Sequence, residues 1–265
     1  MISPAAPPDS IRRMEPQLLH SVTDAVATVV IHHPAKRNAM TAGMWAALPP
    51  LLDELAAEES VRALVLTGEG ATFCAGADIS TLRGADGSPA DAQDLAVRAE
   101  EALAHFPKPT LAAIRGYCVG GGAQLAGACD LRFCEEGTRF GVTPAKLGIV
   151  YPASSTARLV SLVGPAAAKY LLFSGELIDS ARALRTGLAD EVLAAGELDK
   201  RVAEFTQILV SRSLLTQSAA KEFAAGRLDR ADHWSAQAHR APEAAEGIGA
   251  FLERRTPRFT WTAPA

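Results

Sequence analysis

Two glycine-rich bends constrain this chain more tightly than any other feature. The first is Phe73-Cys74-Ala75-Gly76-Ala77-Asp78-Ile79, and the second runs from Gly116 to Ala126 as GYCVGGGAQLA. Each comes after a stretch that reads as a β-strand, Val61 to Thr67 (VRALVLT) before the first and Thr110 to Ile114 (TLAAI) before the second. At such places bare backbone can face a ligand. Consecutive glycines opening a helix leave N–H groups uncovered at its positive end, which favours a developing anion. Glycine triplets also occur where a helix must pass close to a strand, so either bend alone reads equally well as packing. The patterns GxGxxG and GxxxxGK(S/T) are absent, which removes the usual nucleotide-phosphate readings.

Around these bends the hydrophobic pattern sets an α/β order. Ala25 to His32 (AVATVVIH) alternates like a strand, and Pro34 to Asn38 (PAKRN) follows as a polar turn. Met40 to Glu59 reads as helix, with Pro49 and Pro50 expected to break it into two pieces. Ser88 to Phe106 has helical spacing, Gly120 to Ala128 is a helix-length run of small residues, and Asp130 to Cys134 (DLRFC) is a further strand. Strand, strand, helix therefore recurs, as in an α/β core with short crossovers. From Ser154 onward almost everything reads as helix, interrupted at Gly164-Pro165, Gly175, Gly187, Gly196 and Gly226. The division expected is a disordered lead over 1–15, a core over 16–200 and a helical region over 201–265.

Composition narrows the function classes. The formal net charge is −4 and the lysines and arginines are scattered, so no basic stripe marks a nucleic-acid partner. No apolar run approaches the roughly 18–20 residues that a membrane span needs, and Met1 to Glu15 carries charges where a signal peptide needs an apolar stretch. A cytoplasmic protein without a membrane partner is the expectation. Cys74, Cys118, Cys129 and Cys134 show neither a CxxC pair nor zinc spacing and read as buried thiols. His32-His33, His105, His233 and His239 offer no second ligand pair, so no metal is expected.

Taken jointly, in this order and separated by the Lys108-Pro109 strand entry, the two bends resemble those of the enoyl-CoA hydratase/isomerase, or crotonase, superfamily. The resemblance extends from about Ala25 to Phe259. It includes HPAKRNAM (His33 to Met40), FCAGADI, Lys108 to Phe133, FGVTPAKLG (Phe140 to Gly148), Leu162 to Val192 and EGIGAFLERRTPRF (Glu246 to Phe259). It implies a spiral of ββα units with a C-terminal helical region that builds a homotrimer, often a dimer of trimers. It also implies an acyl thioester substrate, on coenzyme A or on a carrier protein. Coenzyme A enters as part of the substrate, and no prosthetic group is bound. By the same resemblance the N–H groups of Ala77 and Gly121 form an oxyanion hole. Ala75, Asp78, Ile79 and Ser80 line the thioester and pantetheine path, and Lys36, Arg37 and Ala39 sit at the adenine and phosphate end. Lys36 and Arg37 read equally as ordinary solvated charges.

The resemblance fails where hydratases carry their two water-holding glutamates. Gln124 stands at the first position, and an ungapped alignment puts Pro144 at the second; the carboxylate that isomerase and dehalogenase relatives use aligns with Pro152. An amide hydrogen-bonds but takes no proton at neutral pH, and acid/base catalysis typically supplies about 10²- to 10⁴-fold. Asp78 is a candidate substitute acid, though its counterpart in relatives is usually structural. The segment Phe140 to Tyr151 (FGVTPAKLGIVY) resembles the FxxTPxxLGxxY run of methylmalonyl-CoA decarboxylase. There the Thr and Tyr lie at the substrate carboxylate, roles that Thr143 and Tyr151 would inherit. That relative carries His where Ala77 stands and an acid where Gln124 stands. Plainer readings make Tyr151 a core aromatic and Thr143 an N-cap before Pro144. Three outcomes stay open: malonyl-type decarboxylation, hydration or isomerisation through other acids, and acyl-thioester binding without catalysis.

Overall fold

In the computed structural model the described residues are 15–79 and 89–263. Strands β1 (Gln17–Thr23) and β2 (Val26–His32) form an antiparallel hairpin. Its two-residue turn, Asp24-Ala25, has both φ angles positive, at 50° and 63°. Sequence reading found β2 but not β1, because QLLHSVT is half polar and the turn lacks the glycine that usually marks such a hairpin. From β2 the sheet continues in parallel through β3 (Ala63–Gly68), β4 (Thr110–Ile114), β6 (Leu131–Glu135) and β9 (Glu191–Leu193). Every residue of β4 is buried, which is why it reads as a continuous apolar run rather than an alternating one.

A second sheet of three short strands, β5 (Tyr117–Val119), β7 (Arg139–Gly141) and β8 (Ile178–Asp179), stands beside the first. The chain steps from one sheet to the other as it advances, β4 to β5, β6 to β7 and β8 to β9. A helix closes each step, so the fold is the expected spiral of ββα units. None of the small-sheet strands was legible in the sequence, since two or three residues carry no periodicity.

Helix α1 (Ala42–Ala57) starts at Thr41, whose hydroxyl accepts from the Met44 N–H at 3.2 Å. It contains Pro49 and Pro50 and yet is one helix, not the two pieces expected. Each internal proline costs roughly 3 kcal/mol. Fully burying an apolar side chain returns about 1.5–3 kcal/mol, and Met44, Trp45, Leu48, Leu52 and Leu55 are all buried along its core face. After it come α2 (Pro89–Ala104), α3 (Gly121–Ala128) and α4 (Ala153–Ser174). The break expected at Gly164-Pro165 is a kink within α4, where Gly164 takes φ 74° and ψ 163°. Helices α5 (Ser180–Thr186), α6 (Leu198–Val210), α7 (Leu214–Ala224), α8 (Ala231–Arg240) and α9 (Glu243–Glu253) complete the order. Leu198, Val202 and Phe205 of α6 cover Val65, Leu111 and Phe133 on one sheet face. Among the described residues no helix is long and apolar enough to cross a membrane.

All four cysteines are buried free thiols. Burial pushes Cys74, Cys129 and Cys134 up to about 12, and Cys118 well above its ordinary value. Unfolded thiols ionise near about pH 8.5, so above that pH the unfolded chain holds fewer protons than the folded one and stability falls. Lys108, lowered to about 8 by burial, acts in the opposite sense, as one group against several. Urea unfolding measured between about pH 9 and 11 should show a loss, and Cys129→Ala should flatten it by about 1.4 kcal/mol per pH unit. An unchanged slope in that variant contradicts this account.

Candidate active site

The first bend is stitched to the loop after β2 by backbone hydrogen bonds. Ala75 N–H donates to Arg37 O at 3.1 Å, Met40 N–H to Gly76 O at 2.8 Å and Asp78 N–H to Met40 O at 2.8 Å. This bridge uses the groups on either side of Ala77, so the Ala77 N–H is turned away from it, and it has no backbone acceptor among the described residues. The second bend reaches the first through Cys118, which bridges Cys74, and then turns into α3. Gly121 opens that helix, so its N–H has no intrahelical acceptor.

Close backbone approach brings these two N–H groups to one place. A Cβ on Gly122 would lie 2.3 Å from the Cys74 carbonyl oxygen, so only glycine lets the first turn of α3 settle on the first bend. A Cβ on Gly121 would lie 3.4 Å from the Ala77 nitrogen and 2.8 Å from the Trp45 ring. Ala77 and Gly121 both line a cavity of about 320 Å³.

That cavity also collects most of the other residues singled out in the sequence. Ala75, Ile79, Gln124, Thr143 and Tyr151 line it, as do Pro144 and Pro152. Its polar side chains among the described lining residues are Gln93, Gln124, Thr143 and Tyr151, all neutral. Burial first, and then the negative charge of Glu100, push the Tyr151 phenol well above its ordinary value, so it keeps its proton at neutral pH. Thr143 occupies the N-cap position before Pro144 but makes no side-chain capping bond, so its hydroxyl is not spent on the turn.

Of the coenzyme-path candidates Ala75 and Ile79 are in the cavity wall, whereas Lys36, Arg37, Ala39 and Asp78 are beside it. Asp78 is held in an ion pair by Lys36 at 2.8 Å, which ties the PAKRN turn to the first bend and takes Asp78 away from acid/base work. Arg37 stacks over the Tyr117 ring at 5.4 Å. Ala39 is buried, and its carbonyl meets His33 Nδ1 at 2.7 Å. Ser80 lies outside the described residues. Cys74 and Cys118, which flank the bends, are fully buried with raised values and are not activated nucleophiles. Among the described residues no cluster of three or more His, Cys, Asp or Glu side chains is placed to hold a metal.

Sequence reasoning missed Glu100. It is 1% exposed and lies directly behind Gln124, whose Nε2 donates to Glu100 Oε2 at 2.6 Å and to Ser155 Oγ at 3.2 Å. The Ser155 hydroxyl donates to the same Glu100 oxygen, and Arg158 pairs with Glu100 and with Glu101. Burial lowers the Arg158 guanidinium, but the two carboxylates outweigh it and raise it overall. A signal was present: Ala96, Ala99, Glu100 and Leu103 fall on one face of α2, so a charge occupies a position that helical periodicity assigns to the core.

Two glycine bends clasped around a cavity whose described lining is neutral, on a ββα spiral, define the class. The chain belongs to the enoyl-CoA hydratase/isomerase family, whose profile matches residues 21–262. It is 31% identical to a 2,3-dehydroadipyl-CoA hydratase of Escherichia coli over 92% of this chain and 98% of that one. It is 30% identical to a crotonyl-CoA hydratase of Syntrophomonas wolfei, over 89% and 95%. Among solved structures, an enoyl-CoA hydratase from Bacillus anthracis superposes with a TM-score of 0.85 at 28% identity, covering 92% of this chain and 98% of that one.

The fit of α3 against the first bend has a measurable cost if disturbed. Gly122→Ala should destabilise by on the order of 1–3 kcal/mol through overpacking against the Cys74 carbonyl. Gly127→Ala, where an added Cβ makes ordinary contact with Leu162 at 3.6 Å, should be neutral or stabilise by up to about 1 kcal/mol. Urea denaturation of the two variants checks the opposite signs.

Proposed function

We propose that this protein binds an acyl thioester of coenzyme A, or of a carrier protein, with the thioester oxygen between the N–H groups of Ala77 and Gly121. There they act as an oxyanion hole for an enolate. The observation that carries this reading is the pair of backbone donors that have no backbone acceptor among the described residues, in a wall whose described lining is neutral and largely apolar. Each such preorganised donor contributes on the order of 10²- to 10³-fold in rate. Lys36 and Arg37, joined to the first bend, serve the phosphate end, and Ala39, Ala75, Asp78, Ile79 and Ser80 belong to the coenzyme path.

The reaction we favour is decarboxylation of a small malonyl-type thioester. The Cα–carboxylate bond breaks, CO₂ leaves, and the electron pair becomes the enolate held at the two N–H groups; Cα then takes a proton. No base is required, which suits a described lining in which Gln124 and Pro144 stand at the hydratase glutamate positions. Thr143 and Tyr151 hold the carboxylate out of the enolate plane, and the protonated phenol of Tyr151 supplies the proton. A second reading is hydration or isomerisation of an enoyl thioester, favoured by the hydratase names of the relatives.

CO₂ release from malonyl-, methylmalonyl- and ethylmalonyl-CoA, measured beside loss of enoyl absorbance from crotonyl-CoA, separates these. The expected result is CO₂ release without enoyl consumption, and Tyr151→Phe should lower it by about 10²-fold or more. A Tyr151→Phe variant as fast as the parent removes Tyr151 from the chemistry. Enoyl consumption alone establishes the second reading. Tight thioester binding with neither signal identifies a non-catalytic binder.

The same reading includes self-association through the C-terminal helices. Ile248, Phe251 and Leu252 of α9 are 63%, 82% and 75% exposed, an apolar group that a second copy would cover. Sedimentation should therefore give three or six times the 27.8 kDa chain mass, and a monomer at micromolar concentration contradicts it.

A further inference from the structure

Position 124 is not merely a lost acid. The carboxylate of Glu100, ion-paired with Arg158, accepts hydrogen bonds and donates none. The group of Gln124 that faces it at 2.6 Å must therefore be the amide nitrogen. Ser155 Oγ, at 3.2 Å from the same nitrogen, lies on the same side and shares that N–H, and the Ser155 hydroxyl donates its own proton to Glu100. One N–H bond of the amide is thus shared between two acceptors within a closed triangle of side chains, Gln124, Ser155 and Glu100, which are 6%, 2% and 1% exposed. The amide cannot turn over without setting its carbonyl oxygen against a buried carboxylate.

Gln124 lines the cavity, and no protein donor to its Oε1 is recorded among the described residues. We infer that Glu100, with Ser155, is a positioning residue that fixes Gln124 as a hydrogen-bond acceptor toward the cavity. The site then favours an acyl group that brings a donor, a hydroxyl or a held water, to that point. The substrate-side part of this inference rests on the thioester reading above; the orientation of the amide does not. The triangle also accounts for an amide rather than an acid at 124. A glutamate there would set a second carboxylate against Glu100, and the two would share a proton rather than leave a free base at neutral pH.

Two measurements on the full-length protein test this. The first is the side-chain amide NMR signal of Gln124, assigned by its loss in Gln124→Leu. In the parent the amide proton that faces Glu100 should be protected from solvent exchange, and in Glu100→Gln the protection should be lost and the signal should move, because a second amide can meet the first in either orientation. The second is calorimetric binding of 3-hydroxybutyryl-CoA against butyryl-CoA, which differ by one hydroxyl. The parent should prefer the hydroxyl ligand by between about two- and twelve-fold, and Glu100→Gln should abolish the preference while butyryl-CoA affinity stays within about two-fold. If Glu100→Gln does not fold because Arg158 loses its buried partner and keeps only Glu101, Glu100→Gln/Arg158→Met removes that charge and reads the same two quantities. An unmoved amide signal or a retained hydroxyl preference in the folded variant overturns the inference. If the parent binds neither thioester, the thioester reading fails while the amide signal still decides the role of Glu100.

Discussion

The contact on which the rest depends is one of backbone against backbone, where the first turn of α3 lies on the carbonyl of Cys74. A side chain at Gly122 would sit 2.3 Å from that oxygen, so the approach exists only because the residue has none. It joins two loops that leave neighbouring parallel strands, β3 and β4; the bridge Cys74 to Cys118 keeps them joined, and the bridge Met40 to Ala77 ties the first of them to the segment after β2. An N–H at a helix start and an N–H turned out of a bridge thereby share one wall. Donors fixed in this way need no reorganisation when charge develops beside them, and an apolar surrounding strengthens them.

The described lining of that wall carries no charged side chain. Among the described residues Glu100 is paired with Arg158 behind Gln124, and Asp78 is paired with Lys36 beside Ala77, so each of these two carboxylates is neutralised by a partner outside the described cavity wall. The described wall contains the amides of Gln93 and Gln124, the hydroxyls of Thr143 and Tyr151, and the main chain of Ala77 and Gly121. Such an arrangement suits a reaction whose charge arrives with the substrate and collects at its thioester oxygen. It suits less well a reaction that must abstract a proton with a side chain of the wall.

Much of the fold could be read from particular segments. VRALVLT and TLAAI are buried on both faces and announced themselves as β3 and β4, and the glycine triplet marked the start of α3 within one residue. Resemblance supplied the convergence of Ala77 and Gly121, because no local pattern states that two loops more than forty positions apart will meet. What escaped has physical causes. Strand β1 is half polar and turns through Asp24-Ala25 without glycine; β5, β7 and β8 are too short for periodicity; and α1 runs through two prolines because its apolar face is buried along its length. Glu100 escaped since its partners, Gln124, Ser155 and Arg158, lie on two other helices. The charge at a core position of α2 was the visible trace of that network.

The central claim is that two main-chain N–H groups grip one carbonyl oxygen. Infrared difference spectroscopy on an acyl-CoA carrying ¹³C at the thioester carbonyl measures this directly, since hydrogen bonds to the oxygen weaken the C=O bond. The account predicts that the carbonyl band of the bound ligand moves to lower wavenumber than in water, because two fixed donors in an apolar cavity polarise it more than solvent does. A bound band at or above its position in water would contradict it.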